Sequence, residues 1–290
     1  MHLGPSELIL NKDGSIYHLN LLPEDISDTV ILVGDPGRVD RVSRHFETLE
    51  VSKQKREFIT HTGRYKGKRM TVLSTGIGTD NIDIVLNEID ALANIDLKNR
   101  KEHKDKKIIN FIRIGTSGTI QDDIPVDSFL LSELALGFDS VVYYYSGMAG
   151  RQPEMESALL KHLHWDSNKS RPYVVKGDET LVQHFRGEGV VQGFTGSNVG
   201  FYGPQGRFLR LQPAEAGLFD KLSSFSYQGR RLTNFEMETS ALYGLSALLG
   251  HRAISLNAII ANRATIAFSG DPGRTVDRLI QWTLEKLVQL

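Results

Sequence analysis

Four short stretches of the chain combine side chains that can do chemistry with glycines that let a backbone come close to a ligand: GDPGR (34–38), RIGTSG (113–118), FYGPQGR (201–207) and NFEMET (234–239). FYGPQGR has the turn-forming Gly203, Pro204 and Gly206, yet it also carries Gln205 and Arg207. If the chain is extended there, side chains two apart point the same way. An amide with a donor and an acceptor then sits beside a fixed fork of cationic donors. A pyrimidine such as uracil offers the matching edge: a carbonyl, an N–H and a second carbonyl in a row. The amide serves one carbonyl and the N–H. The guanidinium serves the other carbonyl and steadies the negative charge of a base that leaves as an anion. Phe201 or Tyr202 can stack on the ring.

GDPGR follows an apolar run, and ligands of open α/β sheets collect beyond the carboxyl ends of strands. Gly34 lets backbone amides approach an oxyanion as a helix begins, and Arg38 adds charge. The same residues also suit a plain strand-to-helix connection, and they hold neither G-x-G-x-x-G nor the Walker lysine. RIGTSG closes an apolar strand and places Arg113, within or at the end of that run, with the hydroxyls of Thr116 and Ser117, which is a phosphate-binding set. A buried Arg113 needs an anionic partner, and a structural carboxylate would serve as well as a phosphate. NFEMET is open in the same way. Glu236 and Glu238 fit the N-terminus of the following helix, where the helix dipole favours carboxylates. A carboxylate beside Met237 also fits the vicinal hydroxyls of a ribose, with the thioether against the sugar.

The elements that must carry these residues follow from periodicity. TVILV (29–33), RMTVLS (69–74), IINFIRI (108–114), SFLLSELAL (128–136), VVQGFTG (190–196) and RAISLNAIIA (252–261) read as strands. Pro36 suits the first position of a helix, in which Val39, Val42 and Phe46 share a face. NIDIVLNEIDAL (81–92) and the final segment, with Val276, Leu279, Ile280, Leu287 and Val288 in one stripe, also read as helices. Strands alternating with helices predict an α/β fold with a parallel or mixed sheet. No linker-like stretch divides the chain, so one domain over 1–290 is expected, with 1–15 as an N-terminal extension. The mixed-sign charge run at 96–107 reads as a solvated helix-to-strand loop.

Composition excludes several function classes. The formal net charge of −1 exerts no general pull on nucleic acid or on an acidic membrane, so any anion must be held by local groups. The chain has no Cys, which removes disulfides, thiol nucleophiles and thiolate metal sites and agrees with a reducing compartment. The N-terminus has neither a basic n-region nor an apolar core of a signal peptide, and no run of about eighteen apolar residues suggests a membrane span. A cytoplasmic protein is expected.

With phosphate, ribose and base elements in this order, the sequence resembles the uridine phosphorylase branch of the nucleoside phosphorylase-I family over residues 16–290. The segments are YHLNL (17–21), GDPGR, REF (56–58), STGIG (74–78), RIGTSG, FYGPQGR, NFEMET and ANR (261–263). The resemblance implies a central mixed, partly barrel-like β-sheet flanked by α-helices. It implies phosphate held by Gly34, Arg38, Arg113 and Thr116, with Arg56 supplied by a neighbouring subunit. Met237 and Glu238 then bind ribose, joined by the neighbour's copy of His18, and Phe201, Gln205 and Arg207 bind the base. Arg207, Arg113 and Gln205 carry the catalysis. The implied reaction is reversible phosphorolysis of uridine to uracil and ribose 1-phosphate, with phosphate as co-substrate and no cofactor. Sites shared between subunits imply a dimer unit, and three such units a homohexamer. Some members hold a monovalent cation such as K+ between subunits, at positions resembling Glu57, Ile77 and Asn81. Purine-cleaving relatives use an acid on the loop after the last core strand, whereas here Arg263 stands in that region and no acid follows until Asp271. A purine nucleoside phosphorylase and a non-catalytic nucleoside-binding homologue are the alternatives.

Overall fold

A computed structural model describes residues 3–290. The main sheet has eleven strands: β1 (Thr29–Val33), β2 (Thr48–Lys55), β3 (Phe58–Tyr65), β4 (Lys68–Ser74), β5 (Asn110–Thr119), β6 (Phe129–Gly137), β7 (Tyr173–Lys176), β8 (Val190–Ser197), β9 (Asn234–Glu236), β10 (Arg252–Asn262) and β11 (Ala267–Phe268). The helices are α1 (Gly37–Ser43), α2 (Thr79–Asn94), α3 (Pro153–Leu163), α4 (Glu179–Phe185), α5 (Leu218–Ser224), α6 (Thr239–Leu249) and α7 (Pro272–Val288).

The run TVILV is buried at every position, as expected of a strand covered on both faces. Parallel neighbours β4 and β5 flank it. Strand β5 also pairs in parallel with β10 and, through two residues, antiparallel with β9. Those pairings close β10, β6, β8, β9 and β5 into a five-stranded barrel, from which β1, β4, β3 and β2 continue as an open arm. Closure pairs each barrel strand on both sides, so the remaining edges lie at β2, β7 and β11. The fold is thus the single α/β domain with a mixed, barrel-like sheet that the sequence implies.

Helices cover the sheet in separate apolar clusters. Val39 and Val42 of α1 share one with Leu181 of α4 and Leu279, Ile280 and Leu284 of α7. Ile82, Val85 and Leu86 of α2 meet Leu242 and Leu245 of α6 in another, which Leu8 and Ile16 of the N-terminal segment join.

Several boundaries differ from the sequence reading. Pro36 is the N-cap of α1 rather than its first residue, and Phe46 lies beyond the helix end. Strand β5 continues five residues past Ile114, because the small residues of GTSGT remain paired with β10. The β2–β3 hairpin had no apolar signal in β2, whose residues are exposed or half-buried. The segment 138–190 contains a 3-10 turn (Val141–Tyr144), α3, β7 and α4. The 96–107 run is a solvated connection, with a two-residue pairing of Ile95–Asp96 to Lys101–Glu102 at its base. Among the described residues no helix is long and apolar enough to cross a membrane.

Candidate active site

Gly34 and Arg38 are placed by the end of β1 and the first turn of α1. A Cβ on Gly34 would lie 3.4 Å from the carbonyl of Gly76, so the two loops approach closely there. The Arg38 guanidinium is buried and donates from Nη1 to the Ile114 carbonyl at 3.1 Å, while among the described residues its Nε has no partner. Burial and the nearby Arg113 push its pKa down to about 10. A buried, under-partnered cation of this kind is stabilised by an anion.

Arg113 lies within β5, and its guanidinium folds along the strand over Gly115. Only a glycine at 115 leaves room, since a Cβ there would collide with Arg113 Nη1 and come within 3.0 Å of Asn257 Oδ1. Nη2 of Arg113 is hydrogen-bonded to Glu238 Oε2, and Nη1 lies 3.5 Å from Glu236 Oε2 and 3.5 Å from Asn257 Oδ1. The structural-carboxylate alternative for Arg113 is therefore met within the chain, and any phosphate joins an existing ion pair. Gly115→Ala is expected to displace the guanidinium, because overpacking a filled site costs about 1–3 kcal/mol. If Arg113 holds a phosphate, as the resemblance implies, kinetics with phosphate varied will show a raised KM for phosphate against a smaller change for nucleoside.

The two glutamates divide the readings left open for them. Glu236 accepts from Ser197 Oγ at 2.5 Å and from the backbone amides of Glu238 and Thr239 at 3.0 to 3.1 Å. It anchors the start of α6. Glu238 turns toward the pocket, where Oε1 accepts from the Gly78 amide at 2.8 Å and Oε2 meets Arg113. Burial pushes its pKa up, with Arg113 pulling it back. The Gly78 contact was not foreseen from sequence, since STGIG contains no side chain that signals it.

At the other end, 201–207 is not extended. A 3-10 turn spans Gly203–Gln205, and Gly206 adopts φ 69°, the left-handed region that glycine enters without strain. The amides of Gln205 and Arg207 both donate to the Tyr202 carbonyl, at 3.0 and 2.8 Å. This tighter turn still brings Arg207 Nη1 onto Gln205 Oε1. The guanidinium also donates to the Phe201 carbonyl at 3.1 Å and stacks over the Phe201 ring, 4.1 Å from its centroid. Burial lowers the Arg207 pKa. Arg263 holds the turn from behind, donating to the Gln205 carbonyl at 2.7 Å and lying 4.5 Å from the Phe219 ring centroid. Asp271 caps α7 by accepting from the Arg274 amide at 2.9 Å, so that acid is already engaged.

These groups share one cavity of about 730 Å³. Gly34, Arg38 and Thr116 belong to its wall, as do Phe201, Gln205 and Arg207; Arg113, Met237 and Glu238 complete it. His18 and Arg56 do not line it. They sit together around Tyr17, with the His18 ring 4.7 Å and the Arg56 guanidinium 5.9 Å from the Tyr17 ring, and His18 Nδ1 is 2.6 Å from Glu88 Oε1. Glu57, Ile77 and Asn81 do line the cavity, and the Asn81 amide donates to the Ile77 carbonyl at 3.4 Å.

A cavity with cationic groups and an amide–guanidinium pair in its wall, on a closed five-stranded barrel, agrees with a match of residues 28–288 to the family model described as "Phosphorylase superfamily". The chain belongs to that superfamily. It is 29% identical over 261 residues to a uridine phosphorylase of Thermococcus kodakarensis, covering 89% of this chain and 81% of the relative. It is 27% identical over 242 residues to a DeoD-type purine nucleoside phosphorylase of Bacillus subtilis, covering 82% and 84%. Among solved structures, a Trypanosoma brucei nucleoside phosphorylase described as showing uridine phosphorylase activity superposes with a TM-score of 0.86 at 29% identity, covering 98% of this chain and 100% of that one.

Proposed function

We propose that this superfamily member is a uridine phosphorylase, a pentosyltransferase that converts uridine and phosphate reversibly to uracil and ribose 1-phosphate. The observation that carries the reading is the Gln205–Arg207 pair in the wall of the same cavity as Arg38, Arg113 and Thr116. Phosphate would be held by Gly34, Arg38, Arg113 and Thr116, ribose by Met237 and Glu238, and uracil by Phe201, Gln205 and Arg207. As the glycosidic bond stretches, C1′ gains positive and the base negative charge, so phosphate is wanted beside the first and fixed donors beside the second. Arg207 offers such a donor, and phosphate itself is the nucleophile. No cofactor is required.

The expected result is release of uracil from uridine, followed by ultraviolet absorbance, only when phosphate is present. Release without phosphate, or from inosine alone, overturns the reading. A purine nucleoside phosphorylase is the second reading, favoured by the B. subtilis relative; engagement of Asp271 in the α7 cap speaks against it. A binding protein without catalysis would be expected to have lost some phosphate ligands, yet Arg38, Arg56, Arg113 and Thr116 are all present in the sequence.

A dimer that shares its sites, with three dimers in a hexamer, accounts for His18 and Arg56 lying outside the cavity of their own chain. On this reading Arg56→Ala lowers activity about tenfold or more through loss of a charge-assisted phosphate contact. Mixing it with a variant inactive only at Arg207 restores part of that activity in hybrid dimers. A monovalent cation at Glu57, Ile77 and Asn81 would use the Glu57 carboxylate and the Ile77 carbonyl, which accepts one bond from Asn81 and keeps a second lone pair. A cytoplasmic location fits the absence of cysteine from the sequence.

A further inference from the structure

The interior of the barrel is polar where an apolar filling would be usual. Asn257, Ser132, Thr195 and Asn234 are fully buried, and they form one hydrogen-bonded chain that starts at Arg113 and ends at Ser117, both of which line the cavity. Arg113 Nη1 faces Asn257 Oδ1 at 3.5 Å, and Asn257 Nδ2 donates to Ser132 Oγ at 3.3 Å. Ser132 Oγ is 2.6 Å from Thr195 Oγ1, Thr195 donates to Asn234 Oδ1 at 2.9 Å, and Asn234 Nδ2 donates to Ser117 Oγ at 2.9 Å.

The direction of this chain is fixed at its first member. A guanidinium has donors and no acceptor, so Asn257 must present its oxygen to Arg113, and its amide hydrogens go to Ser132 and Ser255. Thr195 has committed its hydrogen to Asn234, so the Ser132 hydroxyl donates to Thr195. Every link then runs the same way, and such chains polarise one another cooperatively. Ser117 receives a hydrogen at the end and has one left to give, for which the described residues offer no acceptor.

We infer that Ser117 is a hydrogen-bond donor to a carbonyl oxygen of the bound base, held in that role by the barrel chain. The inference rests on the proposed function. Its place along β5 supports the base rather than the phosphate: Ser117 lies beyond Thr116, four residues of strand from Arg113, and Phe235, which pairs with the next residue and follows Asn234, lines the same cavity as Phe201, Gln205 and Arg207. Asn234 is then a positioning residue, since it acts through Ser117.

The test compares uridine with 2-thiouridine and 4-thiouridine, because sulfur accepts a hydrogen bond poorly. Gln205 and Arg207 each serve one carbonyl on the proposed reading, so wild-type kcat/KM should favour oxygen over sulfur at both positions, with Ser117 adding a factor of up to about 10 at one of them, the value of one neutral hydrogen bond. Ser117→Ala should remove that added factor at the one position and leave the other position and the KM for phosphate unchanged, while Ser117→Thr, which keeps the hydroxyl, should retain it. Asn234→Asp supplies a second route: a carboxylate facing Ser117 turns its hydrogen inward, so the same factor should vanish with Ser117 intact. Oxygen preferences that are unchanged at both positions by Ser117→Ala and by Asn234→Asp overturn the inference. If the wild type releases no base, the proposed function has failed by itself. The same comparison is then read from calorimetric binding of the three nucleosides, with the same two outcomes.

Discussion

Arg207→Ala is expected to lower kcat for uridine by about 10²- to 10³-fold, the usual cost of removing one preorganised donor from a developing anion. Its melting temperature should remain close to that of the wild type. The contacts of Arg207 stay within its own turn, to Gln205, to the Phe201 carbonyl and to the Phe201 ring, and the backbone of that turn is held independently by Tyr202, Gly206 and Arg263. Desolvation already lowers its pKa, a strain that negative charge on the leaving base would relieve. Steady-state kinetics and thermal melting, done on the same preparation, decide the matter. Equal losses of turnover and stability would make the arginine structural.

Arg113→Met is expected to have the largest effect on stability of any single change in the site. It leaves Glu238 buried with its partner gone, and breaking a buried pair from one side costs about 3–5 kcal/mol. For a chain of this size that corresponds to a fall of roughly 6–10 °C in melting temperature, at about 2 °C per kcal/mol. Glu236 keeps its own donors from Ser197, Glu238 and Thr239 and should add little to the loss. Adding Glu238→Met removes the stranded charge and should restore most of the stability, since replacing both members of a buried pair by apolar groups is often near neutral. Phosphorolysis should stay absent in the double variant. Recovery of activity along with stability would show that neither group touches substrate.

The strands that carry the site were legible because their burial is strong and continuous: TVILV, RMTVLS and RAISLNAIIA all appear within two residues of their expected bounds. What escaped the sequence was pairing rather than propensity. Nothing in GTSGT announces that the strand continues through it; that follows from β10 lying alongside. The β2 strand is polar because it is the last strand of the open arm, covered by β3 alone. In the site, the residue types in FYGPQGR pointed to the right neighbours by the wrong backbone, since a left-handed glycine achieves what an extended chain would have done. Arg263 and the Gly78 amide act through a backbone carbonyl and a backbone N–H, and such contacts leave no trace in residue spacing. Ser117 was visible as a hydroxyl, but its partner, Asn234, lies 117 residues away.

Strand β5 carries Arg113, Thr116 and Gly118 and is hydrogen-bonded to β1, β9 and β10. It therefore works as a ruler: three residues of strand set Arg113 and Thr116 about 10 Å apart along the chain, and no side-chain rearrangement can change that interval. The FYGPQGR turn has no such restraint and is held mainly by its own short-range bonds and one arginine. Substitutions and insertions can accumulate in the turn without disturbing the calibrated end. One barrel can in this way serve relatives named for uridine and for purine nucleosides, with a rigid strand under the proposed anion end and a looser turn under the proposed base end.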